Sequence, residues 1–396
     1  MMSIAALFAI SLLGPAHAED ADSPAFVYPE ARRGDVIDTY HDVDVADPYR
    51  WLEAPDSEET RAWVEGQVAL TTDYLDAIPA QKTLVERLKI LWNYERFSAP
   101  SKKGDRYFFR HNDGLQNHSV LYTADSLAGE ARSVLDPNTL SDDGTVSVRL
   151  TSLSEDGSLL AYGLSDGGSD WQTVYIRDVL SGRDLSDTLQ WVKFSGASWT
   201  HDNNGFFYSR YPKPENVLES VNEHQKLYYH QIGTPQEHDR LIYESPENPK
   251  RGFGGRVSET GETLYISGWE GTDNRNTLYT LDLTNENAEV VKLFDEMDAQ
   301  YSILGERTYT DDRNWLQRLF GEKLQEPVTK YWIWTTKDAP KGKVISINKE
   351  HPQQAHWTEV VPESEHVLRR ASFVGNRLVL SYLKDAHSNI KVYDLT

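Results

Sequence analysis

Gly163-Leu164-Ser165-Asp166-Gly167 has the G-x-S-x-G spacing that, at a sharp strand-to-helix turn, lifts a serine hydroxyl toward a histidine base. Gly167-Gly168-Ser169 offers a second hydroxyl four residues after the first. Acyl transfer by either would need a helix behind the serine, a base and an orienting carboxylate. The next residues are Trp171-Gln172-Thr173-Val174-Tyr175-Ile176, which alternate as a strand does. Both strings are therefore expected to be turns between strands. His118, His201 and His230 sit in stretches with loop or strand texture and are expected to be structural. The chain has no cysteine, which excludes disulfides, thiolate metal sites and cysteine nucleophiles. No H-E-x-x-H or similar ligand spacing occurs, and no carboxylate spacing singles out a glycosidase pair among 62 acids. The expectation is a chain with no catalytic residues, no metal and no cofactor of its own.

The elements around these residues fall into two textures. From about Tyr28 to Trp92 the pattern is helical. Asp47-Pro48 reads as a helix start, Asp56 with Glu59 as a capping box, and Trp63, Leu70, Tyr74 and Ile78 as one apolar helix face. After Trp92 the apolar residues alternate and Gly turns become frequent. A unit recurs, consisting of a Gly turn, an apolar strand and a second strand. Its instances begin at Gly104, Gly157, Gly205, Gly261, Gly305 and Gly375. A period near 50 residues with several strands per unit describes a β-propeller better than a sandwich with irregular loops. The interval from Gly305 to Gly375 is long. Glu306 to Lys330 accounts for the excess and reads as an insertion in the fifth unit, with Trp315, Leu316, Leu319, Phe320 and Leu324 at helical spacing.

The formal net charge is −22, which repels phosphate backbones and anionic lipid, so neither nucleic acid nor a membrane surface is expected as a partner. Ile4 to Leu13 is apolar but too short to span a bilayer, and Ala16-His17-Ala18 is an A-x-A cleavage pattern. Residues 1–18 are expected to be a signal peptide and the protein periplasmic or secreted, with a cytoplasmic location as the alternative.

Asp47-Pro48-Tyr49-Arg50-Trp51-Leu52-Glu53 resembles the D-P-Y-x-W-L-E signature of the prolyl oligopeptidase family. Gly114-Leu115-Gln116-Asn117, Ser154-Glu155-Asp156-Gly157, Gly168-Ser169-Asp170-Trp171, Val192-Lys193-Phe194-Ser195 and Trp199-Thr200-His201-Asp202 come in the family's order. The likeness runs from about Tyr28 to Thr396, the Glu306–Lys330 segment excepted. It implies a mainly β fold: an incomplete seven-bladed propeller of about six units over residues 96–396. An N-terminal helical segment, residues 19–95, packs on the hydrolase domain in the family. The α/β-hydrolase domain with its Ser-Asp-His triad would lie beyond Thr396.

The function that the resemblance implies is that of a gate. The propeller of a serine endopeptidase that cuts short peptides after proline admits its substrate, and this chain alone is expected to be inactive. The partners are then short proline-containing peptides and the hydrolase domain of the same gene. Carried over by motif, Phe194, Phe253 and Thr272 would line the pocket beyond the proline site. The family usually has a sulfur-bearing side chain at the last two positions, so a shifted subsite preference is expected. Phe194 could equally be blade core. The alternatives are a stand-alone propeller that binds peptides or proteins, and a non-functional truncated remnant.

Overall fold

The computed structural model describes residues 26–142, 144–215, 217, 220–309 and 327–395. The expected leader over residues 1–18 and the helical pattern around Trp315 lie outside the described residues. The chain divides into two units, with the boundary between Asn93 and Tyr94.

The first unit is less purely helical than its sequence implies. A hairpin of Ile37–Tyr40 with Val43–Ala46 precedes the helices. Asp47-Pro48 does not start an α-helix. It opens a turn into a short 3₁₀ helix, Arg50–Glu53. Asp47 accepts from Arg50 Nε at 2.5 Å, and Arg50 also pairs with Asp38 of the hairpin. The side chain is held by charge pairing, and Trp51 Nε1 donates to the Arg32 carbonyl at 2.8 Å. Helix α1 (Glu58–Asp76) is capped by Ser57 rather than Asp56, through its hydroxyl on the Thr60 amide at 3.2 Å. Trp63 on α1 packs edge-on against Trp51, with centroids 6.4 Å apart. On α2 (Gln81–Trp92), Leu84, Leu88 and Leu91 are each more than half exposed.

The second unit is a six-bladed propeller of antiparallel sheets. Blades I to VI span residues 96–135, 147–192, 198–243, 251–294, 301–361 and 367–394. The first strands of neighbouring blades touch, as Ser147–Leu153 does Ser198–Trp199 and Tyr301–Tyr309 does Val367–Val374, so these strands converge on the axis. The second strands of blades II to V are buried largely on both faces, because each of these blades lies between two others. Phe206 and Tyr208 join Leu150, Ile176 and Leu189 between blades II and III, while Phe207 joins Phe253, Leu264 and Ile266 between blades III and IV. Tyr331 and Ile333 likewise face blade IV, and Trp332 faces blade VI. Alternation of side chains across a strand turns one apolar run into two interfaces. Blade VI has three strands, and its edge strand His387–Asp394 leaves Ile390 and Val392 exposed.

The recurring turn between the first and second strands is where the sequence periodicity comes from. In blade II, Ser154 N donates to the Leu159 carbonyl, Gly157 N donates to the Ser154 carbonyl, and Gly157 has φ +69°. Blade IV repeats this with Ser258, Thr263 and Gly261 at φ +79°. In blade III the corresponding residue is Asn203 at φ +58°, with Thr200 in the serine's place. Gly205 is therefore not the turn residue but the first residue of a strand. Asn takes the left-handed conformation more readily than most residues, so the turn persists without the glycine. Gly305 is also not a turn residue, since it follows a bulge in the first strand of blade V.

The same strand corrects the bounds of the insertion. Glu306, Arg307, Thr308 and Tyr309 pair in register with Tyr331, Lys330, Thr329 and Val328. Both ends of the Glu306–Lys330 segment are thus blade strands, because the ladder continues past the point where resemblance stops. Residues 310–326 lie outside the described residues. Replacing residues 310–327 by Asn-Gly would join the paired Tyr309 and Val328 through a two-residue hairpin loop. Loop length costs little, about 0.6 kcal/mol per doubling. The variant is expected to melt cooperatively within a few degrees of the parent by calorimetry. Loss of the cooperative transition would show that the segment holds the blade together.

Candidate functional site

Antiparallel up-and-down blades put alternate connections on opposite faces. The first-to-second strand turns share one face. The second-to-third and fourth-to-first connections share the other, the loop face. It carries 166–171, 193–197 and 271–276, and so gathers the Ser165 and Ser169 strings, Phe194 and Thr272 on one side of the propeller.

The two serine strings are turns, as expected. Ser165 ends the strand Leu159–Ser165, is 1% exposed, and donates its hydroxyl to the Ser169 carbonyl. Ser169 Oγ accepts from the Trp171 amide at 3.1 Å. Gly167 and Gly168 have φ +56° and +77°, a reversal that leads into the strand Gln172–Asp178. Neither hydroxyl meets a histidine. His201 lies in the blade III turn, and His230 is buried within a strand. Among the described residues no group of three or more His, Asp or Glu could hold a metal ion.

Phe194 follows the last strand of blade II and is 51% exposed, so it is not blade core. It has φ +54°, and Trp191 before it has φ +61°. Left-handed backbone at a non-glycine residue costs about 1–3 kcal/mol each and persists only where the surroundings impose it. The surroundings here are an aromatic cluster. Trp171 meets Trp191 edge-on at 6.0 Å and Tyr211 at 5.9 Å. Lys193 Nζ lies 5.2 Å from the Trp171 ring and 5.1 Å from the Phe194 ring, and 3.8 Å from Asp170. A cavity of about 290 Å³ opens beside Trp171 and Trp191 and is also lined by Leu164, Asp166 and Gln190.

Phe253 is elsewhere. It is wholly buried between blades III and IV, edge-on to Tyr243 at 4.9 Å, and cannot touch a ligand on the loop face. Its backbone is nonetheless tied to the Phe194 loop. Gln225 accepts from the Phe253 amide at 2.9 Å and donates to the Lys193 carbonyl at 2.8 Å. Ser209 donates to the Phe253 carbonyl at 2.5 Å, while its own amide donates to Ser195 Oγ at 2.7 Å. Phe253 is thus an anchor for the segment that presents Phe194. Thr272 is exposed in the loop after Glu270, on the same face. Trp171, Trp191 and Tyr211 do not stand out as pocket residues in the sequence. Trp171 and Trp191 meet because Gln172 pairs with Val192 within blade II, and Tyr211 joins them from blade III, a grouping that separation along the chain hides.

The loop face of the propeller therefore carries an aromatic cluster with one lysine over it, and no catalytic constellation among the described residues. Residues 28–396 match the family described as prolyl oligopeptidase, N-terminal β-propeller domain, and the chain belongs to that family. It is 37% identical over 375 residues to a prolyl endopeptidase of Elizabethkingia meningoseptica, covering 94% of this chain and 50% of the relative. Prolyl oligopeptidase A of Amanita bisporigera is 33% identical, over 93% of this chain and 51% of its own length. A solved structure of prolyl oligopeptidase B from Galerina marginata, bound to a 35-residue hydrolysis and macrocyclization substrate, superposes with a TM-score of 0.76 at 30% identity. That match covers 93% of this chain and 53% of the other. The chain spans about half the length of the relatives it matches.

Proposed function

We propose that this propeller is the substrate-admitting part of a secreted or periplasmic serine endopeptidase that cleaves short peptides after proline. The observation that carries the reading is the family match over residues 28–396 together with the exposed Phe194, which a strained loop and Lys193 hold out from the loop face. An aromatic ring at the rim of an aromatic cluster binds apolar residues of a peptide, and the lysine over it adds a cation that can meet a backbone carbonyl or carboxylate. The chain supplies recognition, and the hydrolase domain supplies nucleophile, base and oxyanion hole.

Two measurements test this. The purified chain is expected to release no product from a Gly-Pro reporter. Release that disappears in Ser165→Ala would overturn the assignment of the chemistry to the other domain. A proline-containing octapeptide is expected to quench tryptophan fluorescence through Trp171 and Trp191. Phe194→Ala should weaken that binding about tenfold, the usual scale for truncating a contact aromatic. Unchanged affinity would place the peptide elsewhere.

A further inference from the structure

We propose that the cleft between blades V and VI binds carboxylates of acidic peptides. The cleft has a volume of about 660 Å³ and is lined by Arg256, Lys341, Arg369 and Arg370 with the hydroxyls of Ser302 and Thr336. No Asp or Glu lines it, in a chain with 62 acids against 40 Lys and Arg. Just outside the lining, Glu363 is already engaged, accepting from the Lys341 amide at 2.6 Å. Among the described first strands, which converge on the axis, the one carboxylate is Glu306, and that is occupied by Thr260 at 2.6 Å and Thr263 at 3.3 Å.

The backbone is shaped to place these cations together. Successive residues of a regular strand point to opposite faces, so Arg369 and Arg370 could not both line one cleft. A register shift between Leu368 and Arg370 interrupts the strand Val367–Val374 at this point. Such a bulge re-aims a side chain, and both arginines are among the residues that line the cleft. Both are exposed, and among the described residues neither forms an ion pair. Arg256 is fixed by donation to the Ile303 carbonyl at 2.6 Å and by the Tyr265 ring at 5.2 Å. Lys341 Nζ donates to the Glu365 carbonyl at 2.8 Å, not to a carboxylate.

Clustered cations without counter-charges repel one another, and a carboxylate relieves that repulsion while matching the guanidinium fork. Polyanions are excluded by the chain's net charge of −22, which repels them at long range, whereas a short peptide brings one or two charges. The identification of the ligand as a peptide rests on the proposed function. The strand Val367–Val374 begins on the loop face, so a peptide held at Phe194 and one held here approach the same side of the propeller.

The test uses the whole chain and rhodamine-labelled Ala-Glu-Ala-Glu and Ala-Lys-Ala-Lys, read by fluorescence anisotropy at low ionic strength. The glutamate peptide is expected to bind at least tenfold tighter than the lysine peptide. The double substitution Arg369→Glu with Arg370→Glu should abolish the difference, and Arg369→Gln with Arg370→Gln, at an unchanged melting temperature, should reduce it. Lys82→Glu should leave it unaltered. Equal binding of the two peptides, or a preference that survives the double reversal, would overturn the proposal. So would displacement by inorganic phosphate at lower concentration than by glutarate, which would make the site one for phosphate. The probes contain no proline, so this outcome is read independently of whether the octapeptide binds at Phe194.

Discussion

Replacing His230 by phenylalanine is expected to lower the stability of the propeller as much as the largest truncations in its apolar core. The imidazole is fully buried and lies between two fully buried carboxylates. Nδ1 is 2.7 Å from Asp239 Oδ1 and Nε2 is 3.1 Å from Asp187 Oδ1. Asp239 also accepts from the Tyr208 hydroxyl at 2.6 Å, and Asp187 from the Gly233 amide at 2.5 Å. Asp187 Oδ2 has no hydrogen-bond partner among the described residues. A carboxylate oxygen stands beside each ring nitrogen, so the protonated ring, which donates from both, is the form that this site favours. Burial opposes that charge, and the carboxylates of Asp239 and Asp187 outweigh it, raising the pKa above the ordinary histidine value. Removing the cation leaves two buried anions in mutual repulsion, which costs about 3–5 kcal/mol by analogy with other broken buried pairs. At about 2–4 °C per kcal/mol, melting should fall by roughly 10 °C.

The buried cation also makes stability depend on pH. A pKa raised in the folded state stabilises fully below the unfolded value of ~6.5 and is lost as pH rises through the folded value. The parent's melting temperature should therefore decline on the alkaline side of neutrality by more than that of His230→Phe. Adding Asp187→Asn and Asp239→Asn to His230→Phe should recover much of the loss, because no buried charge then remains. Calorimetry from pH 6 to 9 checks all three. Equal slopes for parent and single variant would mean that the ring is neutral in the fold.

How far the sequence could show this depends on the range of the interaction. The blade count is legible because blades I to IV and VI repeat a local device, the tight turn with a left-handed residue, and local devices recur at readable spacing. The local readings that fail do so for definable reasons. Gly205 passes for the turn residue because Asn203 does the same conformational task with a different side chain. Asp47-Pro48 looks like a helix start, but Asp47 spends its carboxylate on Arg50. Interactions between blades are invisible. Asp187 and His230 are 43 positions apart, on different blades, and nothing in the sequence pairs the two. Resemblance puts Phe253 on the pocket, whereas packing between two blades buries it and leaves Phe194 as the exposed ring. The pairing of Glu306 to Tyr309 with the next strand is likewise hidden, since the resemblance lapses where the ladder does not.

Those turns also join neighbouring blades, and this gives the second large effect. Gly104 N donates to the Glu155 carbonyl at 3.0 Å, and Lys103 Nζ reaches Glu155 Oε1 at 2.6 Å. Glu155 N in turn donates to Asn203 Oδ1 at 2.9 Å, and Arg307 Nη2 donates to the Gly375 carbonyl at 2.7 Å. The turns of blades I, II and III thus form a chain of contacts, and the first strand of blade V reaches the turn of blade VI through Arg307. A Cβ at Gly104 would stand 2.2 Å from the Asp156 carbonyl oxygen and 2.8 Å from its carbon. These are backbone atoms, which no rotamer change can remove. Gly104 also has φ +53°. Gly182 has φ +68° but nothing within 4 Å of the added atom, so it bears the conformational cost alone. Gly182→Ala should cost about 1–2 kcal/mol, the left-handed penalty for an L-residue. Gly104→Ala should cost about 3 kcal/mol or more, because the turn must also withdraw from blade II and release its inter-blade hydrogen bond. Urea unfolding of the two variants side by side separates the terms. If both lose the same stability, the turn of blade I has room to move, and the close approach contributes nothing to holding blades I and II together.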